Sequence, residues 1–188
     1  MWMQTHSGLK FDFDAPDTWG KAISVDDIAH SLSMLCRFTG HSKRFYSVAE
    51  HVVRGTWALR ELLVEGELLF LFLHHDDTEA YVGDVSRPLK SRLPQYVELE
   101  NRIHTAIYGA LGPRIGPSLA DRVKDVDNAM LGAEARVLMS RPPQDWGLKP
   151  KPHWLAFFRP HIPRYSIMPS WYWKREYLKL HHELKGRR

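Results

Sequence analysis

Cys36 is the only cysteine, so no disulfide forms within the chain and a reducing compartment is the expectation. Long apolar runs are missing too: the longest, Leu68 to Leu73, spans six residues, against roughly 20 for a helix that crosses a bilayer. No membrane contact is therefore expected. The first residues, Met1-Trp2-Met3-Gln4-Thr5-His6, have neither a basic start nor an apolar stretch, so no signal peptide is expected. There are no internal repeats and no clear β-hairpin signal. These absences exclude a disulfide-stapled secreted module, a membrane-spanning helix and a solenoid.

What is present is an ordinary globular balance. Over 188 residues, hydrophobic side chains make up 44% and charged ones 26%, which fits one domain spanning 1–188. The net charge of +4 suits an anionic ligand such as a phosphate ester, or weak nucleic-acid contact. Much of the excess sits in the tail, at Lys174, Arg175, Lys179, Lys185, Arg187 and Arg188, where a solvated helix face is the expectation. Charge alone does not choose a function.

Residues 1–24 contain Gly8, Pro16 and Gly20 and read as an irregular arm with a short turn of strand. From Val25 to Phe38, Ile28, Leu32 and Leu35 recur at helical spacing, with Ser24 placed to cap. Ser47-Val48-Ala49-Glu50 reads as a capping box, its hydroxyl taking the amide of Glu50 and its carboxylate reaching back. A helix follows to Val64. After Gly66 an apolar helix runs from Glu67 to Tyr81, and further helices fit Pro94 to Leu111 and Leu119 to Ser140. Gly112, Pro113, Gly116 and Pro117 separate those last two, and Arg141-Pro142-Pro143 ends the second. Beyond lies a Pro- and aromatic-rich extension, 141–188, with a closing helix from Ser170 to Leu184. The expected fold class is all-α, a helical bundle with its core over about 25–140.

The chemistry concentrates in His74-His75-Asp76-Asp77-Thr78-Glu79, at the end of the Leu-rich helix. Several ionisable groups at the end of a buried helix are costly unless a metal or partners neutralise them. Glu79 stands four residues after His75, on the same helix face. His51 lies just after the cap of the preceding helix. Antiparallel neighbours joined at Gly66 would bring it beside His75 and Asp76. Asp127, set among Val123, Val126, Met130 and Leu131, is expected to face inward. Two imidazoles and two carboxylates suit a catalytic divalent ion, with Mn, Co, Fe, Ni, Zn and Mg all compatible.

The order His51 … His75-Asp76 … Asp127 resembles the HD superfamily of metal-dependent phosphohydrolases. So do Asp27-Ile28-Ala29-His30-Ser31-Leu32-Ser33, Cys36-Arg37-Phe38-Thr39-Gly40-His41, Arg44-Phe45-Tyr46-Ser47-Val48-Ala49-Glu50-His51 and His75 to Asp84 with Arg87-Pro88-Leu89-Lys90. Together these stretches cover about residues 25–130. Within the superfamily the chain is similar to small bacterial 5′-deoxynucleotidases and still more to phage and prophage HD proteins. That resemblance implies that His51, His75, Asp76 and Asp127 bind the metal, with Asp76 also part of the catalytic set. It implies that Glu79 is the catalytic carboxylate, handling the attacking water or the leaving oxygen. Asp84 would read the sugar 3′-hydroxyl, and Arg37 would contact phosphate.

Lys43, Arg44, Thr78 and Lys124 are further candidates for binding phosphate. His41 is a loop histidine or a supporting donor, His74 packs or supports, and His181 and His182 read as tail residues without an acidic partner. The resemblance implies hydrolysis of deoxynucleotide phosphates. The basic residues Arg37, Lys43, Arg44, Arg87, Lys90 and Lys124 favour a dNTP triphosphohydrolase, possible substrates including dATP, over a 5′-deoxynucleotidase acting on dNMPs. A non-catalytic nucleotide- or nucleic-acid-binding module is the alternative of another class, and it would carry replaced ligands. The expected partners are the deoxynucleotide and further copies of the chain, as a dimer or hexamer, without nucleic acid. The expected location is the cytoplasm of a bacterium or of a phage-infected host.

Overall fold

The computed structural model describes residues 1–64, 66–112, 117–141, 146, 152–165 and 168–186, the side chains of Pro117 and Pro152 excepted. Pro113, Gly116, Pro142, Pro143, Arg187 and Arg188, which figure in the breaks and tail charges above, lie outside the described residues.

Among the described residues the chain is all-α apart from one small hairpin. Strand β1 (Trp2–Gln4) pairs antiparallel with β2 (Lys10–Asp12), Met3 opposite Phe11, and Gly8 at φ +89° turns the connection. The arm is therefore more regular than its sequence suggests. No Asn-Gly or Asp-Gly dipeptide marks the turn, and tertiary contacts hold the arm instead. Phe11 is fully buried between Trp19 and Tyr81, with ring centroids at 5.4 and 4.4 Å. Ser7 donates from its amide and its hydroxyl to the two oxygens of Asp27, both at 2.7 Å.

Helix α1 (Trp19–Ala22) leads into α2 (Val25–Met34), which buries Ile28, Ala29 and Leu32. Helix α2 stops at Met34 rather than Phe38, because the following backbone is drawn into pairing elsewhere. The Val48 amide donates to Leu35 O at 3.0 Å and the Arg37 amide to Tyr46 O at 2.8 Å. A 3-10 turn over Arg37–Gly40 follows, with Phe38 and Thr39 both left-handed at φ +58° and +52°. Such conformations cost on the order of 1–2 kcal/mol per residue, so the surrounding ties must hold them.

Helix α3 (Val48–Glu61) begins as its cap predicts, Ser47 Oγ accepting from the Glu50 amide at 3.0 Å. The second half of the expected capping box is absent. The Glu50 carboxylate turns instead to Arg44, at 2.9 Å on each oxygen, and to Arg54 at 2.7 Å. Helix α4 (Glu67–His74) buries every residue from Leu68 to His74. The single helix expected to Tyr81 is broken here: residues 75–78 form consecutive turns before α5 (Glu79–Val82). Then come α6 (Arg87–Lys90), α7 (Pro94–Leu111), α8 (Pro117–Leu138), α9 (Pro152–Phe158) and α10 (Ser170–Lys185). Among the described residues no helix is long and apolar enough to cross a membrane.

Helices α3 and α4 sit at the centre, with α2 and α10 packed against them on one side and α8 on the other. The C-terminal extension is therefore part of the core: Phe158, Trp173, Tyr177, Leu180 and Leu184 are all buried in it. Trp171 and Tyr165 stay exposed, at 62% and 77%. Helices α3 and α4 approach closely at Gly55, where a Cβ would lie 2.2 Å from Phe72 Cε1. The Phe72 ring packs against both His51 and His75. Gly55→Ala is accordingly expected to cost about 1–3 kcal/mol through overpacking. A thermal melt reads this as a drop of several degrees, and an unchanged midpoint would contradict the close approach.

Candidate metal centre

His51 stands in the first turn of α3 and is fully buried; His75 and Asp76 follow the last residue of α4; Asp127 is in mid-α8. Their functional atoms converge. His75 Nε2 lies 3.1 Å from Asp76 Oδ1 and 3.8 Å from Asp127 Oδ1, and His51 Nε2 lies 3.4 Å from that same Asp127 oxygen. Ligand atoms of His51, His75 and Asp76 all fall within 4.8 Å of one another.

The proton inventory at the two imidazoles is informative. His75 Nδ1 is 2.6 Å from the Phe72 carbonyl, which can only accept, so that nitrogen carries the proton. His51 Nδ1 is 2.5 Å from Glu134 Oε1, a carboxylate that His51 and Arg37 hold below its ordinary range against the upward push of burial. In both rings this leaves Nε2 buried, turned to the carboxylates and able to give up its proton to bind an ion. Both nitrogens face Asp76 and Asp127. A divalent ion would satisfy both at once, so the residues present fit a metal.

The charge balance points the same way. Asp76, Glu79, Asp84, Asp127 and Glu134 surround one buried guanidinium, that of Arg37. Arg37 Nη1 donates to Asp76 Oδ2 at 3.1 Å, and Nη2 lies 3.4 Å from Glu134 and 3.9 Å from Asp127. Burial works against its charge, but these carboxylates outweigh it and raise the pKa further. Burial would also raise Asp127, yet His51 and His75 hold it well below the usual carboxylate range. For His75 burial acts downward, and Asp76 and Asp127 lift it to about 9. Glu79 behaves differently: burial, then Asp76 and Asp84, push its carboxyl well above the usual range, and its buried Oε2 has no hydrogen-bond partner. Burial also raises Asp84, with Arg37 opposing.

Glu134 is the residue that sequence reasoning missed. It is fully buried, accepts from Tyr46 Oη at 2.8 Å and orients His51 through Nδ1. The available signal was its place two helical turns after Asp127 within Gly132-Ala133-Glu134-Ala135, a carboxylate among small residues. Glu134→Gln is expected to weaken divalent-ion affinity about 10- to 100-fold, as loss of such outer partners does. Isothermal titration with Mn²⁺ tests this, and wild-type affinity would refute the orienting role.

The remaining candidates divide. Lys124 is exposed and borders a cavity of about 260 Å³ that opens beside His75 and Asp127. Arg87 reaches Asp127 Oδ2 and Asn128 Oδ1, both at 2.6 Å. Thr78 is buried at the start of α5. Arg44 is not presented to the centre: besides both oxygens of Glu50 it donates to Pro163 O, tying the loop to the C-terminal segment. Lys43 is exposed on that loop, His41 is an exposed loop histidine, and Lys90 is paired with Glu100 at 2.6 Å. His181 corrects the tail reading. It is buried, lies 3.0 Å from His74 Nε2, and His74 in turn contacts Asp77. Spacing within α10 could not reveal that link, because its partner lies 107 residues away.

Fold and site thus define an all-α protein with a His–Asp cluster, His51 buried and the others half-buried, that could hold a metal ion. No family profile matches the chain. It is 41% identical over 136 residues, 72% of this chain and 71% of the relative, to YfdR, an uncharacterized protein of Escherichia coli K12. It is also 30% identical over 141 residues, 71% of each chain, to an uncharacterized protein of Rhodobacter capsulatus. The chain belongs to the YfdR family.

Proposed function

We propose that the chain is an HD-type, metal-dependent phosphohydrolase that cleaves deoxynucleotide phosphates, releasing triphosphate from a deoxynucleoside triphosphate. The observation that carries this reading is the pair of orphaned, buried imidazole nitrogens, His51 Nε2 and His75 Nε2, turned towards Asp76 and Asp127. These four residues would hold a divalent ion, which when bound lowers the pKa of water and polarises a phosphoryl oxygen. Glu79, its carboxyl raised by burial, supplies a proton to the leaving 5′-oxygen as that P–O bond breaks, and the water that forms the new bond to phosphorus returns a proton to the Glu79 carboxylate. Arg37, Arg87 and Lys124 offset the charge of a loose phosphoryl-transfer transition state. Asp84 reads the sugar 3′-hydroxyl.

A 5′-deoxynucleotidase acting on monophosphates is the second reading. It is favoured by the pairing of Arg44 with Glu50 and of Lys90 with Glu100, which leaves fewer cations for a polyphosphate.

Product analysis decides between them. The protein with Mn²⁺ or Co²⁺ is offered each dNTP and dNMP, with ribonucleotides as controls, and products are separated by chromatography. Deoxynucleoside plus intact triphosphate is the expected result. Deoxynucleoside plus orthophosphate from monophosphates alone would establish the second reading. Silence across the panel with metal bound would overturn both.

A further inference from the structure

The turns at 75–78 carry two sets of side chains in opposite directions. His75 and Asp76 face the metal cluster. His74 and Asp77, their immediate neighbours, face α10 and meet Tyr177 and His181. All four members of this second group are buried, none more than 3% exposed. We propose that α10 fixes the ligand-bearing turn through Tyr177, which makes Tyr177 a positioning residue for the metal centre described above, on whose reading this inference rests.

The donors and acceptors of the group line up. Tyr177 donates its hydroxyl to Asp77 Oδ1 at 2.5 Å. His74 donates from Nδ1 to Asp77 Oδ2 at 2.7 Å, and the Tyr177 oxygen lies 2.8 Å from that same nitrogen. Since His74 Nδ1 holds its proton, Nε2 accepts, and His181 donates to it from Nδ1 at 3.0 Å. Donors thus run from α10 through His74 to one carboxylate, which receives a bond on each oxygen.

Packing alone does not call for such a group. A buried carboxylate is costly, and apolar residues of similar volume commonly do as well or better for stability. What a doubly hydrogen-bonded carboxylate adds is direction: a leucine at 77 would pack in many rotations of the turn, whereas Asp77 fits one. That direction matters here because Asp76 is the adjacent residue, and its Oδ1 must stay within reach of His75 Nε2, 3.1 Å away. A rotation of the turn about its axis would move Asp77 and Asp76 together. Of the two donors to Asp77, Tyr177 is the one that comes from outside the segment, so it anchors that rotation to the rest of the fold.

The test uses the full chain and the metal alone as probe. Tyr177→Phe removes one hydroxyl and keeps the ring. Trp173→Phe, in the same helix and equally buried but outside the group, serves as the control for general loss of stability. Co²⁺ is titrated into each protein while its visible d–d absorption is followed, and each protein is also melted. The expected result is an affinity about tenfold or more weaker in Tyr177→Phe with altered band intensities, and wild-type affinity and bands in Trp173→Phe. On the proposed substrates kcat should fall in Tyr177→Phe with KM little changed. Wild-type affinity and spectrum in Tyr177→Phe would overturn the proposal, as would an equal loss in both variants. A wild type that takes up no Co²⁺ would overturn the metal centre itself and this assignment with it, and is recognisable before any variant is compared.

Discussion

Asp76→Ala is expected to lose bound divalent ion and turnover together. Asp76 faces both imidazoles and the buried guanidinium, at 3.1 Å from His75 Nε2, 3.8 Å from His51 Nε2 and 3.1 Å from Arg37 Nη1. Without it, an ion would keep two neutral nitrogens and Asp127, whose second oxygen is shared with Arg87. Stabilisation of transition-state charge by a metal amounts to several kcal/mol, and each 1.36 kcal/mol is tenfold in rate. A fall of at least about 10³-fold in kcat/KM is therefore expected. Asp127→Ala should behave alike. The fold should survive Asp76→Ala, because Arg37 keeps Glu134 and Asp127 as partners. Metal content after dialysis, the melting profile and the rate on deoxynucleotides are the three measurements. Full activity in either variant would sink the assignment of the centre.

Glu79→Gln separates chemistry from metal binding. Glu79 is 8% exposed and makes no ion pair with Arg37, which is committed to Asp76, Asp127 and Glu134. Burial and the neighbouring Asp76 and Asp84 raise its carboxyl, which favours the protonated form the proposed role needs, and glutamine keeps the shape while losing the proton. The variant should retain wild-type metal content and lose about 10²- to 10⁴-fold in kcat, the usual contribution of a positioned acid or base. The sign of the pH dependence follows from the role. An acid must be protonated, so the wild-type rate should decline as pH rises through the elevated pKa of Glu79, and that limb should vanish in Glu79→Gln. Loss of metal in the variant would instead make Glu79 a ligand, and an unchanged kcat would remove it from the reaction.

Some of this was legible in one dimension because the physics involved is local. The 3.6-residue spacing of Ile28 and Leu32 on α2 and of Ile103, Ile107 and Leu111 on α7 marked those helices, and Gly112 at φ +77° ended α7 as a left-handed cap. Ser47 marked the start of α3 through a bond to an amide three residues on. With His51 at one helix start, His75-Asp76 at the next helix end and Gly66 between them, connectivity alone brought three of the four proposed ligands together. Asp127 followed from an acidic residue on an apolar face.

Other features were not legible because their causes are distant in sequence. No glycine or proline interrupts the sequence from Leu68 to Tyr81, yet the helix breaks after His74, where the side chains serve the cluster on one side and Tyr177 on the other. The Glu50 carboxylate had an adequate local use, but Arg44 and Arg54 offer it two charge-assisted partners, which are worth more than a reach back to a backbone amide. Arg44, a phosphate-binding candidate by sequence, is thereby paired with Glu50. Glu134 and His181 gave no local sign of what they touch, since each meets its imidazole partner across more than 80 residues, at His51 and His74.

The sequence by itself determined the all-α class, the helices of the core and the inventory of imidazoles and carboxylates, because helix periodicity, caps and residue chemistry act within a few positions. Only the tertiary structure decided which nitrogen of His51 and of His75 faces the carboxylates, which cations remain near the centre and what holds the turn at 75–78. Those depend on hydrogen-bond partners supplied by α8 and α10, and a buried polar group takes the partner that folding brings to it.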